Sequence, residues 1–378
     1  MGLSAAVATE SESTRRRSVA SSAVPKHVRE IDGLRALAIW MVFAGHLLTT
    51  YRSSAASPGM HALFVVADHG WLGVDLFFVL SGFLITGILL KTRGRSTGAY
   101  FKQFYIRRAA RILPLYFLVL LVLLALYQGQ YGVYFAYCAL MSANLAHLFP
   151  SIRIPDAAGP FWSLAVEEQF YLVWPWLVLW LASRSLKLVT IGLLIIEPVL
   201  RVVVPAPILF LPWFRCDGLA MGALIAIWFA SWDGDRSRAR TFALTILGVV
   251  VALTVAGLPF GILHDGIAGT ALRITQGVLL FGAALVAAVA FSGNRSLAFL
   301  RSPVLATTAL LSYCLYLIHK PLIDAFAHVV GPMPWFMALA PLPAFLIRAV
   351  VALGAAYTLA ALSRKYLEAP FLRLAARH

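Results

Sequence analysis

The chain is a succession of apolar runs close to the ~20 residues a helix needs to cross a bilayer, separated by short polar segments. The runs cover 34–51, 70–90, 112–127, 160–182, 187–204, 210–231, 241–260, 271–291, 304–328 and 340–362. Backbone in lipid must satisfy its own hydrogen bonds, so such runs specify helices. The expected fold class is an all-α integral membrane protein of about ten transmembrane helices. Composition agrees: 61% of residues are hydrophobic and 12% charged, against about 25% charged in a soluble domain. A soluble enzyme, a disordered regulator and a fibrous protein are excluded.

Net charge is +15, from 31 Lys+Arg against 16 Asp+Glu. In a soluble chain that excess would suggest nucleic acid. Here the charge marks sidedness, because Lys and Arg collect in cytoplasmic loops, and no nucleic-acid partner is expected. Arg15, Arg16, Arg17, Lys26 and Arg29 precede the first run; Lys91, Arg93, Arg95, Lys102, Arg107, Arg108 and Arg111 fill the segment 91–111. Arg184 and Lys187, Arg236 to Arg240, Arg295 and Arg301, and Arg364 to Arg377 follow at alternate connections. A further apolar stretch, 133–149, would put every later basic loop outside if it crossed. It is therefore read as a re-entrant or interfacial helix on the outer side, with both termini cytoplasmic. The expected organisation is a disordered cytoplasmic tail over 1–28 without a cleavable signal, a membrane domain over 29–370 and a cytoplasmic tail over 371–378. Cys138, Cys216 and Cys314 lie in apolar stretches without a paired spacing, so neither a disulfide framework nor a metal site is expected.

Ionisable side chains inside spans are costly and mark candidate sites. Arg35 and His46 are 11 positions apart, so at about 100° per residue they share one helix face, roughly 16 Å apart along the axis. Asp75 lies in the second span, where Gly73, Ser81, Gly82 and Gly87 suit close helix packing. Glu167 and Glu168 are adjacent and point about 100° apart, so they cannot share a partner; Ser163 shares a face with Glu167. Arg215 and Asp217 open the sixth span. Ser312, Tyr316 and His319 form a polar stripe in the ninth, where Lys320-Pro321 is expected to kink or break the helix. Glu197 and Arg201, spaced i, i+4, suggest a structural ion pair. Arg108 and Arg111 lie on one face and could fork phosphates; the plainer reading of such a cluster is an anchor for lipid headgroups.

The segments DGLRAL with its later His46, GWLGVDLFFVLSGFLI, RRAARILPLY, FWSLAVEEQFYLVWP, RCDGLAMGALIA and LSYCLYLIHKPL together resemble the acyltransferase-3 family of bacterial membrane acyltransferases, in family order from about residue 29 to 370. The resemblance implies a multi-pass protein of the bacterial cytoplasmic membrane. It implies transfer of an acyl group, usually acetyl, from cytoplasmic acyl-coenzyme A as co-substrate to a hydroxyl of a polysaccharide, another glycan or a glycosylated small molecule. Its Arg-x10-His motif falls on Arg35 and His46, with His46 catalytic, and its Arg-x-x-Arg motif falls on Arg108 and Arg111 as ligands of the coenzyme A phosphates. Some members carry a further C-terminal SGNH-type domain; this chain is expected to act without one.

The expected mechanism joins both readings. Arg107, Arg108 and Arg111, helped by Arg35, bind the acyl donor at the inner face. His46 acts as general base on the acceptor hydroxyl or carries the acyl group itself. Glu167 or Asp75 orients the imidazole. Arg215 or Tyr316 stabilises the oxyanion, and Glu168, Asp217 and His319 complete the acceptor side. The competing class is a polytopic transporter of an anionic or glycan-type solute, which intramembrane charges suit equally well; a non-catalytic scaffold would not require His46.

Overall fold

The computed structural model describes residues 27–49, 69–127, 129–204, 209–258 and 266–377. The expected N-terminal tail therefore lies outside the described residues except for His27 and Val28, as does His378 of the expected C-terminal tail. Among the described residues every regular element is helical. Ten helices stand over the ten apolar runs: α1 Arg29–Thr49, α2 Gly73–Thr92, α3 Thr97–Leu126, then, after a short α4 Gly132–Ala139, α5 Phe161–Trp180, α6 Ser183–Val203, α7 Asp217–Phe229, α8 Arg236–Gly257, α9 Ile267–Ala290, α10 Pro303–Val329 and, after a one-turn α11 Pro334–Met337, α12 Pro341–Ser363. A π-turn, Arg364–Glu368, leads into α13 Ala369–Ala375.

Six of these, α1, α2, α3, α8, α9 and α12, are by length and composition long and apolar enough to cross a membrane, and α10 is a seventh if it is taken with the 3-10 turn Arg295–Arg301, from which it bends by 47°. The helix α6 carries Arg184, Lys187, Glu197 and Arg201, and α7 has 13 residues. Large apolar side chains such as Leu121, Ile195, Val255 and Val350 are exposed on the outer faces of α3, α6, α8 and α12, as a surface against lipid acyl chains requires.

Three local expectations change. The segment 91–111 is mostly not a loop: α3 begins at Thr97 and runs 30 residues through Pro114, about 45 Å at ~1.5 Å per residue. Arg107, Arg108 and Arg111 thus stand on a rigid helix continuous with the span. Pro321 does not break α10, which is helical from Pro303 to Val329; membrane helices tolerate proline where neighbours satisfy the freed backbone. The C-terminal segment is helical to Ala375, and α13 packs on α3. The stretch 133–149 divides into α4 and a 3-10 turn, Ala143–Leu148, each too short to cross. It is tied inward, with Tyr116 donating to Cys138 O at 2.8 Å and Tyr134 to Ala158 O at 2.9 Å.

The most extensive helix contact is between α2 and α7, followed by α1 with α10. A Cβ on Gly82 would meet Leu219 O at 2.0 Å, and one on Gly222 would meet Val79 O at 2.0 Å. Each glycine therefore seats against the facing backbone, the close approach that small residues allow between membrane helices. Gly87 does not share this role: a Cβ there would meet nothing within 4 Å. The start of α1 is fixed by Glu30, which accepts from Arg301 at 2.6 Å and from Gly293 N at 2.8 Å.

Candidate active site

The contact of α1 with α10 brings two histidines together. His319 Nε2 lies 3.3 Å from His46 Nδ1, with ring centroids 5.0 Å apart. His319 Nδ1 is 2.6 Å from Tyr316 O, and His46 Nδ1 is 3.0 Å from Val42 O. A carbonyl oxygen only accepts, so each neutral ring carries its proton on Nδ1 by assignment from these partners. His319 Nε2 then presents a lone pair to His46 Nδ1–H, and the basic lone pair of His46 resides on Nε2.

This corrects the expectation that Glu167 or Asp75 orients His46. The orienting groups are the Val42 carbonyl and His319. Asp75 pairs with Arg215 at 2.8 Å, with both side chains buried. Arg215 also lies over the rings of Trp162, at 5.3 Å, and Phe78, at 5.9 Å. These contacts make it one half of a buried clasp with Asp75. Asp217 likewise belongs to packing: it accepts from Arg201 at 2.6 Å, and its backbone N–H donates to Glu197 at 2.8 Å. The expected Glu197–Arg201 pair is thereby replaced. Arg201 spends its donors on Asp217, on Phe214 O at 2.8 Å and on Thr275 at 3.1 Å. Burying these charges is tolerable only because each has a partner.

A cavity of about 260 Å³ lies among α1, α2, α3, α5 and α10. Arg35, Arg108 and Arg111 line one part of it, and Phe77, Ser163 and Tyr316 another. Ser163 and the Tyr316 hydroxyl are hydrogen-bonded at 2.5 Å, and the Tyr316 ring lies 5.6 Å from that of His319. Tyr316 therefore stands between the cavity and the histidine pair. Glu167 faces the cavity beside the arginines. It accepts from Tyr171 at 3.1 Å, the Tyr171 hydroxyl also bonds Ser81, and the Arg108 guanidinium lies 5.4 Å from the Tyr171 ring centroid. Arg35 sits 3.7 Å from Asp32. Arg107 and Glu168 are not among the lining residues.

The sequence reading missed Tyr171 and Tyr313 on the wall of this cavity and gave Ser81, which also lines it, only a packing role. Tyr171 had a signal, since it follows Glu167 by one helical turn. It also missed the ion pair of Lys320 with Asp324 at 2.8 Å, directly after His319 on α10. Cys138, Cys216 and Cys314 are buried thiols. Among the described residues, no three His, Cys, Asp or Glu side chains converge as a metal site would require.

Comparison with known proteins adds identity to this geometry. The chain is 28% identical over 380 residues to the peptidoglycan O-acetyltransferase OatA of Listeria monocytogenes, covering 91% of this chain and 56% of that protein. It is 33% identical over 163 residues to the putative peptidoglycan O-acetyltransferase YrhL of Bacillus subtilis, covering 40% of this chain and 23% of that protein. A third relative, the O-acetyltransferase OatA of Staphylococcus aureus, is 27% identical over 197 residues, covering 46% of this chain and 30% of that protein. The chain thus spans little more than half the length of the Listeria protein. No solved structure matches it. A model described as an acyltransferase domain, Acyl_transf_3, matches residues 28–361, and by that match over most of its length the chain belongs to this acyltransferase family.

Proposed function

We propose that the protein is a membrane O-acetyltransferase that moves an acetyl group from cytoplasmic acetyl-coenzyme A to a hydroxyl of a glycan. Peptidoglycan is the first acceptor to test, because it is the glycan in its relatives' names. The observation that carries this reading is the cavity joining Arg35, Arg108 and Arg111 to Tyr316, one ring away from the His46–His319 pair. Guanidinium groups bind phosphates by charge-assisted, forked hydrogen bonds. A phosphate-bearing thioester anchored there would thread its pantetheine arm between α2, α3, α5 and α10. In this proposal the chain makes ten crossings of a bacterial cytoplasmic membrane with both ends inside.

His46 Nε2 takes the proton of the acceptor hydroxyl. The oxygen attacks the thioester carbonyl, the carbon–sulfur bond breaks, and the coenzyme A thiolate leaves and is protonated. The charge that develops on the His46 ring is met at Nδ1–H by Val42 O and His319 Nε2. Tyr316, beside the histidines, donates to the carbonyl oxygen as it becomes negative. Glu167 holds Tyr171 and faces the guanidiniums of the donor end.

The test is purified protein with radiolabelled acetyl-coenzyme A and a soluble glycan acceptor. Thiol release with label on the glycan is expected, lost in His46→Ala. Label retained on the wild-type protein before acceptor is added would replace direct transfer by an acyl-histidine step. Wild type that neither binds nor consumes acetyl-coenzyme A would overturn the reading in favour of a transporter.

A further inference from the structure

We propose that the nucleotide end of the acyl donor seats in a second cavity, closed on one side by the C-terminal helix α13. The inference rests on the acetyl-coenzyme A reading above and adds residues to it. The second cavity is also about 260 Å³ and lies between the first half of α3 and the end of the chain. It shares Ile88, Arg108 and Arg111 with the first cavity. The two volumes therefore meet at an arginine pair. One runs on to Ser163 and Tyr316, the other to Tyr100, Gln103, Phe104 and Arg107 on α3 and to Ala375 and Ala376.

That order matches the order of groups in a coenzyme A thioester: base, phosphates, pantetheine arm, acyl group. Arg108 and Arg111 would take the phosphates at the junction, and Arg107, which lines the second cavity alone, the phosphate of the nucleoside end. The amide of Gln103 is oriented, since its Oε1 accepts from Arg95 at 2.6 Å. This leaves the Gln103 NH2 as donor to an acceptor nitrogen of a purine ring. Tyr100 is locked by its bond to Pro175 O at 2.9 Å and, with Phe104, gives the cavity a fixed aromatic wall.

The wall opposite α3 is positioned, not incidental. At the π-turn, Glu368 is buried, accepts from Ser363 at 3.2 Å and lies 3.8 Å from Arg364. The turn directs α13 onto α3 and places Ala375 and Ala376 at the cavity. A lipid headgroup would satisfy the arginines alone. A base-sized cavity with an oriented amide beyond them favours a nucleotide.

The experiment uses the full chain in detergent. Binding of adenosine 3′,5′-bisphosphate is measured by calorimetry for wild type, for Ala376→Trp, which fills the cavity from an exposed position, and for Gln103→Ala. In parallel, kcat/KM is compared for acetyl-coenzyme A and for S-acetyl-pantetheine, which lacks the nucleotide. The bisphosphate should bind wild type and bind each variant at least about tenfold more weakly. The ratio of kcat/KM for acetyl-coenzyme A over S-acetyl-pantetheine should fall by a similar factor. Loss of both donors in equal proportion would overturn the proposal, as would wild type that turns over acetyl-coenzyme A without binding the bisphosphate. Displacement by phosphatidylglycerol vesicles, but not by the bisphosphate, would assign the cavity to lipid. If wild type uses neither donor, the acetyl-coenzyme A reading falls, and bisphosphate binding alone then decides the nucleotide seat.

Discussion

At the scale of single residues the site separates into groups that act and groups that hold. In the proposed mechanism His46 acts: its Nδ1–H is taken up by Val42 O and His319 Nε2, which directs its base toward Nε2. A positioned general base contributes about 10²–10⁴-fold, so His46→Ala should lower the acetyl-transfer rate by that factor while acetyl-coenzyme A binding persists. His319 has no direct role in the chemistry as drawn; it accepts from the ring that becomes cationic. Removing one hydrogen-bond partner of a charged group costs about 1.5–3 kcal/mol, so His319→Ala should lower kcat about 10- to 150-fold with KM nearly constant. A change in KM alone would remove His319 from the pair. Asp75 holds: Arg215→Ala would leave it as a buried charge without its partner, a change that costs about 3–5 kcal/mol. Thermal unfolding in detergent should show that loss, whereas Asp75→Leu with Arg215→Leu should recover most of it. If Asp75→Asn abolishes turnover at unchanged stability, Asp75 belongs to the chemistry after all.

At the scale of helices the sequence was legible where a pattern lies within one element. Arg35 and His46 fall on one face because their spacing is a property of α1 alone, and the division of 133–149 from the spans followed from loop charge. The partners of His46 were not legible, because contact between α1 and α10 joins positions 273 apart. Helices that are apolar nearly all round give little sign of which face meets which neighbour. The intramembrane carboxylates Asp75 and Glu167 were therefore matched to His46, although each is occupied by Arg215 or Tyr171. Continuity of α3 across the basic segment was hidden as well, since a positive cluster reads as a loop whether or not it is helical. The α2–α7 contact carries its own prediction. Gly222→Val would drive a side chain into Val79 O, and overpacking costs about 1–3 kcal/mol or more. Folded yield and melting temperature should both fall, while Gly87→Ala, which opens onto space, should leave both unchanged.

For the whole molecule, the proposed function depends on sidedness, since it draws its donor from the cytoplasm. The positive charges decide it only if the 133–149 segment does not cross. The short helices there, tied back by Tyr116 and Tyr134, support that reading, but Ser151 and Arg295 make it measurable. Both residues are exposed, and the native thiols are buried. With ten crossings and 133–149 folded back, Ser151 faces outward and Arg295 inward. In intact spheroplasts a membrane-impermeant maleimide should label Ser151→Cys and should reach Arg295→Cys only after lysis. Had 133–149 crossed, both labels would invert together: with α5 to α9 as five crossings, residues 151 and 295 lie on opposite faces in either topology. Arg295→Cys labelled in intact spheroplasts would therefore place Ser151 inside. It would also put the arginines of α3 and helix α13 on opposite faces, although they line one cavity, and the ten-crossing arrangement would have to be abandoned.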